Sequence, residues 1–385
     1  MSEAAAGGGV LTLNAGSSSL KFGLYDGDAR EIASGQVERL GAAACLRYAG
    51  ETREIGSADH ARALRVALDA LAPLMDGAPR GIGHRVVHGG AAFDAPAPLD
   101  DAVMERLEAL TPLAPLHQPH NLSGVRAARE AFPGAVQVAC FDTAFHRAHP
   151  WVNDVFAIPH RFYDEGVRRY GFHGLSYEHI VRRLARERPA IHAGKAVIAH
   201  LGNGASLCAV VNGRAWDTSM AFSPLDGVPM GTRSGAIDPA VLLYLLERGN
   251  GGAGMDADEL SDMLYRRSGL VGLSGVSSDM RALLASEEPR AAGAVAHFCA
   301  RVRREIGALA ASMGGLDGLV FTGGIGENAA PVRAMICDEL GFLGIALDPA
   351  RNDENADEIG TGATPVLRLA TDEEGVIARA VLEAL

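Results

Sequence analysis

The chain has 385 residues, a length that predicts two domains of ordinary size. Hydrophobic residues make up 48% and charged residues 21%, which indicates globular domains with sizeable cores and excludes a disordered chain. The net charge of -12 argues against a general nucleic-acid binder. Any anion that this protein binds must therefore meet local basic groups.

The cysteines and the first residues indicate the compartment. The opening stretch MSEAAAGGG has neither the basic nor the apolar region of a signal peptide, and no apolar run approaches the length of a membrane helix. The cysteines lie far apart and form no CxxC pair, which predicts reduced thiols and neither a disulfide framework nor a zinc ribbon: Cys45, Cys140, Cys208, Cys299 and Cys337. We expect a cytoplasmic protein that has no membrane or nucleic-acid partner.

Predicted strands and helices alternate along the first part of the chain. Two strands, Val10–Leu13 and Leu20–Tyr25, flank a run of small polar residues, and an amphipathic helix follows over Ala61–Met75. The stretch RGIGHRVVHGG predicts a strand that enters a glycine-rich loop, and DAVMERLEALTPLAPL predicts a helix broken by prolines. Ala135–Phe145 predicts a strand that ends at polar residues.

The second part of the chain repeats this alternation, which favours an α/β fold. KAVIAHLGNGASLCAVVNGRAWDTS predicts two strands around a polar turn, and AVAHFCARVRREIGALAASMGG predicts a long helix ended by glycine. LDGLVFTGGIGEN predicts a strand, a glycine-rich loop and then a helix. The stretches TLNAGSSSLKFGLY and IAHLGNGASLCAVV share one pattern about half the chain apart, which indicates two lobes made by duplication.

Three loops rich in glycine and small polar residues have the composition of anion-binding turns. NAGSSSLK lacks the GxxxxGK[ST] pattern of a Walker loop and predicts a tight hairpin, in which backbone N–H groups and Lys21 surround a phosphate. HLGNGAS follows the same logic, and FTGGIGEN stands between a strand and a helix, where a phosphate or nucleoside fits. Each loop alone is equally typical of an ordinary turn. The three together favour phosphate binding.

Two arginines and one aspartate are the candidate charged groups. Arg85 and Arg233 lie in predicted turns among small residues, where a guanidinium has little apolar surface to cover and suits a carboxylate or phosphate. Asp142 follows a predicted strand, where carboxylates often serve chemistry. A structural ion pair for each arginine and a helix N-cap for Asp142 are the alternatives.

The chain resembles the acetate kinase family from about Leu11 to about Ala378. The motifs that carry the resemblance occur in the family's order: NAGSSSLK, GHRVVHGG, PLAPLHQPHN, FDTAFH, RRYGFHG, HLGNGAS, GTRSGAIDP, FTGGIGEN and TDEE. The family belongs with sugar kinases, heat-shock cognate chaperones and actin, which implies two duplicated, ribonuclease H-like α/β lobes with a nucleotide cleft. It further implies an N-terminal lobe of residues 1–144 joined by 374–385, and a C-terminal lobe of 145–373 that binds nucleotide and forms a homodimer.

The resemblance also implies the reaction and the residues that serve it. Acetate attacks ATP in line, giving acetyl phosphate and ADP, with Mg2+ as the metal and Mn2+ as its alternative. The implied catalytic residues are Arg85, Asp142, His173 and Arg233. The implied acid-binding residues are Arg85, Val87, Leu116, His117, Phe172 and Pro224. The implied ATP-binding residues are Ser17, Ser19, Lys21, His200, Leu201, Gly202, Asn203, Gly204, Asp279, Met280, Arg281, Gly324, Ile325, Gly326, Glu327 and Asn328. Asn14 and Glu373 would hold the metal, largely through waters.

The chemistry of this reaction limits what Asp142 does. A carboxylic acid with a pKa of about 4–5 is ionised at pH 7, so the nucleophile needs no general base. Bringing a carboxylate to a polyanionic phosphate requires positive charge and positioning. We therefore expect Asp142 to orient an arginine or a metal-bound water and not to remove a proton.

Four residues depart from the family's pattern. Ala236 stands where Asp is usual, which predicts a looser placement of Arg233. Leu175 and Tyr177 replace Thr and His, and Gln118 replaces Asn. None of the four is an implied catalytic residue, so we expect effects on kinetics and not on the type of reaction.

Three other functions remain open alternatives. Propionate kinase with broader use of short-chain acids differs only in the acid pocket. The stretches HQPH and HRAH each place two histidines three residues apart, as in some zinc sites, although no HExxH is present. A non-catalytic ATP switch of the actin or chaperone type would share the phosphate hairpins but would not need Arg85, Arg233 and His173 together.

Overall fold

The computed structural model describes residues 9–16, 18–115, 117–248 and 252–385. The chain divides into two compact units. The first holds the described residues up to Arg147 together with Asp372–Leu385, and the second holds Ala148–Thr371. Ser17 and Leu116, which we predicted to contact ATP and the acid, lie outside the described residues.

The first unit contains one large sheet and the helices that cover it. Its strands are β1 (Val10–Ala15), β2 (Ser19–Tyr25), β3 (Glu31–Glu38), β4 (Gly41–Tyr48), β5 (Glu51–Ala58), β6 (Gly81–Val86), β7 (Ala97–Pro98) and β8 (Val136–Phe141). Its helices are α1 (His60–Leu71), α2 (Asp101–Ala109), α3 (Gln118–Ala131) and the C-terminal helix (Glu373–Ala384), with short 3-10 turns at Ala72–Leu74, Thr111–Leu113 and Ala144–Ala148.

The sheet of the first unit has the order β5-β4-β3-β2-β1-β6-β8-β7. β1 to β5 form an antiparallel meander, whereas β1, β6 and β8 run parallel. β1 lies in the middle of the sheet and is buried along almost its whole length, as its apolar run VLTLNA requires. Parallel strands end at the same edge, so the residues that follow β6 and β8 lie side by side.

Two glycines of β6 allow the C-terminal helix to pack closely against the sheet. A Cβ atom at Gly81 would lie 2.4 Å from Val381, and one at Gly83 would lie 2.2 Å from Ile377. Any larger residue at either position would push the helix off the sheet. This close packing holds Glu373, the first residue of the helix, near the end of β6.

The second unit repeats part of this architecture with a smaller sheet. Its strands are β9 (Lys195–Leu201), β10 (Ala205–Val211), β11 (Arg214–Thr218), β12 (Gly318–Thr322) and β13 (Val366–Arg368). Its helices are α4 (Trp151–Asp154), α5 (Arg161–Asp164), α6 (Gly174–Glu187), α7 (Pro189–His192), α8 (Pro239–Leu246), α9 (Ala257–Arg266), α10 (Gly269–Ser274), α11 (Met280–Leu284), α12 (Pro289–Met313), α13 (Gly323–Asn328), α14 (Ala330–Cys337) and α15 (Pro349–Asp353), with a 3-10 turn at Gly341–Leu343.

The two sheets share one topology, which confirms the predicted duplication. The second sheet has the order β11-β10-β9-β12-β13, with β9 to β11 antiparallel and β9, β12 and β13 parallel. The strands β3-β2-β1-β6-β8 of the first sheet have the same order and directions. The two sequence stretches that share a pattern form the equivalent hairpins β1–β2 and β9–β10.

Three local predictions were wrong. Arg85 lies inside β6 and not in a turn, because Gly81 and Gly83 serve helix packing and not a loop. The glycine-rich stretch Gly323–Asn328 is itself the helix α13, which starts directly after β12. The stretch that we expected to form two strands forms three, since β11 follows β10 through a turn at Asn212 and Gly213, both with positive φ.

Candidate active site

In the first unit, Arg85 and Asp142 form a fixed ion pair at the ends of β6 and β8. Arg85 donates from Nε to Asp142 Oδ1 at 3.0 Å and from Nη2 to Oδ2 at 2.7 Å. Its Nη1 donates to Asn14 Oδ1 at 3.3 Å. The Asp142 side chain is 2% exposed and that of Arg85 is 24% exposed. The buried carboxylate therefore holds the planar guanidinium in one orientation while part of it stays open to a ligand.

Glu373 carries a second carboxyl close to this pair. Burial raises its pKa to about 7; Asp142 and Glu374 add to the rise, and the positive charges of Arg85 and Lys21 oppose it. A partly buried carboxylate among other acids needs a cation to stay ionised. Together with the amide oxygen of Asn14, it offers the hard oxygen donors that Mg2+ prefers. The donor set therefore fits the predicted metal.

Strands β1 and β2 form the tight hairpin that the sequence predicts. Gly16 N–H donates to the Ser19 carbonyl at 2.8 Å and closes the turn. Asn14 and Lys21 are cross-strand partners, and Lys21 is exposed. A cation and an amide thus flank a turn of small residues next to Arg85.

Asn121 is a residue of this site that sequence reasoning missed. Its Nδ2 donates to the Ala15 carbonyl at 2.5 Å, and its Oδ1 accepts from the Val87 N–H at 2.9 Å. It therefore ties the end of β1 to the backbone just after β6. Its place in the motif PLHQPHN was the available signal, although nothing in that motif indicates a link to Ala15. Val87 is buried, and His117 directly precedes α3.

In the second unit, two histidine rings stack at the start of α6 and the end of β9. The ring centroids of His173 and His200 are 4.3 Å apart. His173 Nδ1 lies 2.8 Å from Ser206 Oγ, and His200 Nδ1 lies 2.8 Å from Ser176 Oγ. A hydroxyl group therefore holds each ring at its Nδ1 atom.

Gly204 lies between His173 and Arg233. A Cβ atom there would lie 3.3 Å from His173 Nε2 and 3.6 Å from Arg233 Nη1. Arg233 Nη1 also donates to the Pro224 carbonyl at 3.1 Å. The hairpin β9–β10 thus brings the two predicted catalytic residues of this unit together, and buried Phe172 precedes His173.

A cavity of about 720 Å³ opens beside this hairpin. Its size suits a nucleotide. Eight of the residues predicted to bind ATP line it: Gly202, Asn203, Asp279, Met280, Arg281, Gly324, Ile325 and Asn328. Four further lining residues were not predicted: Ser278, Leu284, Ala329 and Pro331. Their positions depend on how α11, α13 and α14 pack, which no local motif encodes.

Other residues predicted to bind ATP do not line this cavity. Leu201 and Gly326 are buried. The Glu327 carboxylate accepts from the N–H of Gly323 at 2.9 Å and of Thr371 at 3.2 Å, so it caps backbone groups within the unit. The carboxylate is held there because α13 begins directly at Gly323, whose N–H has no partner within the helix.

Comparison with known proteins shows which family the chain belongs to. The sequence matches the model of the acetokinase family over residues 9–379. The chain belongs to the acetokinase family.

Individual acetokinase relatives cover almost the whole chain. The acetate kinase of Methylocella silvestris is 49% identical, over 98% of both chains. The crystal structure of Porphyromonas gingivalis acetate kinase matches with a TM-score of 0.88 and 37% identity, over 98% of this chain and 99% of that one. A propionate kinase from Francisella tularensis subsp. tularensis matches with a TM-score of 0.90 and 34% identity, over 97% and 98%.

The residues that depart from the acetokinase pattern are buried or line a cavity. Gln118 is buried and donates from Nε2 to the carbonyls of His88 and Leu107, both at 3.1 Å. Leu175 belongs to the core of the second unit. Ala236 lines a small polar cavity of about 170 Å³, and the looser placement of Arg233 stays a prediction. Tyr177 is fully buried beside Ser206.

The histidine pairs of the zinc alternative have other partners in the structure. Within the described ranges, no three or more His, Cys, Asp or Glu side chains are grouped so as to hold a metal ion. His149 bonds Asp154 at 2.9 Å, and the His120 ring packs against His60. Every helix in the part of the chain that the structure describes is too short or too polar to cross a bilayer.

Proposed function

We propose that this member of the acetokinase family is an acetate kinase, which transfers the γ-phosphoryl group of ATP to the carboxylate of acetate and gives acetyl phosphate and ADP. The Arg85–Asp142 pair carries the proposal. It presents a fixed and partly open guanidinium beside the phosphate-type hairpin. A carboxylate substrate needs such a positive charge and needs no base.

Arg85 is the proposed partner of the acid. The guanidinium neutralises the acetate carboxylate and turns one oxygen toward the phosphorus. Asp142 holds Arg85 at two atoms and Asn14 holds it at a third, so little entropy is lost when the substrate is positioned. Val87 supplies apolar surface for the methyl group.

His173 and Arg233 are the proposed partners of the phosphoryl group. In phosphoryl transfer the charge spreads over three equatorial oxygens, and fixed donors stabilise it. His173 Nε2 and Arg233 Nη1 both lie against Gly204, a position where backbone can approach a phosphate closely. The cavity lined by Asn203, Met280 and Ile325 takes the nucleoside.

Asn14 and Glu373 are the proposed holders of Mg2+. The metal, when bound, neutralises phosphate charge and orients the phosphates for in-line transfer. Glu373 contributes an oxygen ligand once it is ionised. Lys21, across the hairpin from Asn14, adds a positive charge for the phosphates.

Trapping of the acyl phosphate tests this function. Purified protein, ATP and Mg2+ are incubated with acetate, propionate or butyrate, and hydroxylamine converts any acyl phosphate to a hydroxamate. We expect the highest kcat/KM with acetate and a value about 10- to 200-fold lower with propionate, since one methylene is worth about 1–3 kcal/mol in an apolar pocket. The absence of product with every acid would overturn the proposal, and a preference for propionate would favour the alternative that the Francisella structure represents.

We also propose a homodimer that forms through the second unit. Helix α8 has the apolar sequence PAVLLYLL, yet none of its residues is buried, and Leu243 and Tyr244 are 69% and 55% exposed. A helix that is apolar on all sides is normally covered. The substitution Leu243→Asp should give a monomer in analytical ultracentrifugation, whereas the control Phe342→Asp, at another exposed residue of this unit, should not. Equal masses for wild type and Leu243→Asp would contradict it.

A cytoplasmic location is part of the same proposal. All five cysteines are buried thiols. ATP and a reducing environment are both found in the cytoplasm. Fractionation of cells that express a tagged chain tests it, and recovery in the membrane or secreted fraction would contradict it.

A further inference from the structure

We propose that Tyr177 is a positioning residue that fixes the orientation and the tautomer of His173 through the hydroxyl group of Ser206. The inference rests on the proposed function, in which His173 contacts the transferring phosphoryl group. It adds a residue that no motif for phosphate or acid binding includes.

The three side chains form a continuous hydrogen-bonded chain. Tyr177 Oη lies 2.5 Å from Ser206 Oγ, and Ser206 Oγ lies 2.8 Å from His173 Nδ1. Tyr177 and Ser206 are fully buried. Water therefore does not compete for these bonds, and each is stronger than it would be at the surface.

The backbone brings the three side chains together. Tyr177 lies one helical turn after His173 on α6, and its N–H donates to the His173 carbonyl at 3.1 Å. Ser206 lies on β10 directly opposite His200 of β9. Helix α6 thus carries Tyr177 and begins directly after His173, and strand β10 carries the hydroxyl group of Ser206 that lies between them.

The relative acidities of the hydroxyl groups indicate which group donates each hydrogen bond. Serine and tyrosine hydroxyls can each donate or accept, and the phenol is the stronger acid. We therefore assign Tyr177 as the donor to Ser206, which leaves the hydrogen of Ser206 for Nδ1 of His173. A nitrogen that accepts a hydrogen bond carries no proton, so the neutral ring carries its proton on Nε2.

That tautomer places a donor where the reaction needs one. Nε2 is the ring atom that faces Gly204, beside Arg233 Nη1. The Nε2–H group and the guanidinium therefore donate toward the same place. The opposite tautomer would present a lone pair to phosphate oxygens and repel them.

Neither the backbone of His173 nor its stacking on His200 selects the tautomer of the ring. His173 has a φ of +59°, in the left-handed region that non-glycine residues rarely adopt. Stacking on His200 restrains the plane of the ring, but a planar contact does not distinguish Nδ1 from Nε2. The hydroxyl pair makes that distinction.

The first test is the tautomer itself, which does not depend on turnover. Nitrogen NMR of histidine-labelled protein reports which ring nitrogen is protonated, and His173→Gln assigns the signal. We expect His173 to be an Nε2–H tautomer in wild type and a mixture of tautomers in Tyr177→Phe. Tyr170→Phe is the matched control, because Tyr170 is also buried in this unit and donates its hydroxyl hydrogen to the Gly166 carbonyl at 2.6 Å. An unchanged His173 spectrum in Tyr177→Phe would overturn the proposal even if the protein proved to be no kinase.

The second test separates positioning from stability. Tyr177→Phe should lower kcat about 10-fold and leave the KM for ATP within about twofold, as expected for a partner that orients a catalytic group. Ser206→Ala, which removes both links, should lower kcat at least as much. Tyr170→Phe should leave kcat within about twofold. If Tyr170→Phe and Tyr177→Phe lowered kcat equally, the role of Tyr177 would be structural and the proposal would be wrong.

Discussion

The two sheets have the same topology but carry different chemistry at equivalent positions. The strand registers equate Asn14 with His200, Lys21 with Ser206, and Arg85 with Thr322. The first unit therefore presents an amide and two cations where the second presents an imidazole and two hydroxyls. The shared topology determines where site residues lie, and the side chains determine what each sheet does.

The carboxylates beside these positions show the same contrast. Asp142 uses both oxygens to hold the Arg85 guanidinium. Glu327 of the second unit uses its carboxylate to satisfy backbone N–H groups of Gly323 and Thr371. Asp142 holds a positive charge in position for a ligand, whereas Glu327 caps the start of a helix. Variants of Arg85 and Asp142 should therefore affect the acid substrate, and variants of His173 and Arg233 should affect the phosphoryl group.

The largest effect is expected from Asp142→Ala. Arg85 would lose its anchor at two atoms, and kcat/KM for acetate should fall about 10³-fold, as for the loss of a donor to transition-state charge. The trapping assay measures this loss. Since Asp142 acts through Arg85, the double variant with Arg85→Ala should be no slower than Arg85→Ala alone.

Additive losses in that cycle would contradict the positioning role. They would indicate that Asp142 acts on the substrate by itself. The same conclusion would follow if the pH–rate profile of the wild type had an acidic limb that Asp142→Asn removed.

A smaller effect is expected from His173→Gln in the second unit. Loss of the imidazole donor should lower kcat about 10²-fold, because one donor to the phosphoryl oxygens is removed. The affinity for ADP should change by less than about threefold, since the cavity walls remain. Steady-state kinetics and calorimetric titration measure the two quantities. A loss of ADP affinity as large as the loss of kcat would place His173 at the nucleotide and not at the transferred group.

The smallest effect concerns stability and comes from Glu373→Gln. Burial raises the folded-state pKa of Glu373 to about 7, above its ordinary value of 4.5. The folded state therefore binds more protons than the unfolded state between these two values, so this group's contribution to stability is present below pH 4.5 and is lost as pH rises through 7. The stability of Glu373→Gln relative to wild type should rise by about 1–3 kcal/mol between pH 5 and pH 8.

Urea unfolding at each pH without metal checks this dependence. Mg2+ added at pH 8 should recover part of the loss in wild type and not in Glu373→Gln. Parallel pH dependences of the two proteins would contradict the raised pKa.

Some of this site was predictable from sequence because its signals are local. The hairpins β1–β2 and β9–β10 follow from small polar residues between apolar runs, and Asp142 follows a strand with a clear apolar pattern. Topology then requires the ends of parallel strands to meet. The prediction that Arg85 lies in a turn was wrong because Gly81 and Gly83 are typical of loops. Their role is to let the C-terminal helix, nearly 300 residues further along the chain, pack closely against β6.

Contacts between distant parts of the chain could not be predicted. Asn121 bonds Ala15 from 106 residues away, and Tyr177 bonds Ser206 from 29 residues away. Neither partner has a pattern that identifies the other. Leu284 and Pro331 line the nucleotide-sized cavity only because their helices pack beside Asn203. Such residues are determined by packing and carry no motif.

A comparison of nucleotide binding and phosphoryl transfer in Arg85→Ala tests the proposed role of this guanidinium most directly. Calorimetric titration with ADP and hydroxylamine trapping with acetate are applied to the same preparation. Arg47→Ala is the control, because Arg47 also pairs with a carboxylate, Glu38, but has an exposed side chain. We expect Arg85→Ala to bind ADP within about threefold of wild type and to form acetyl phosphate about 10³-fold more slowly, while Arg47→Ala resembles wild type in both. Undiminished acetyl phosphate formation by Arg85→Ala would contradict the central claim that this guanidinium carries the reaction of the acid.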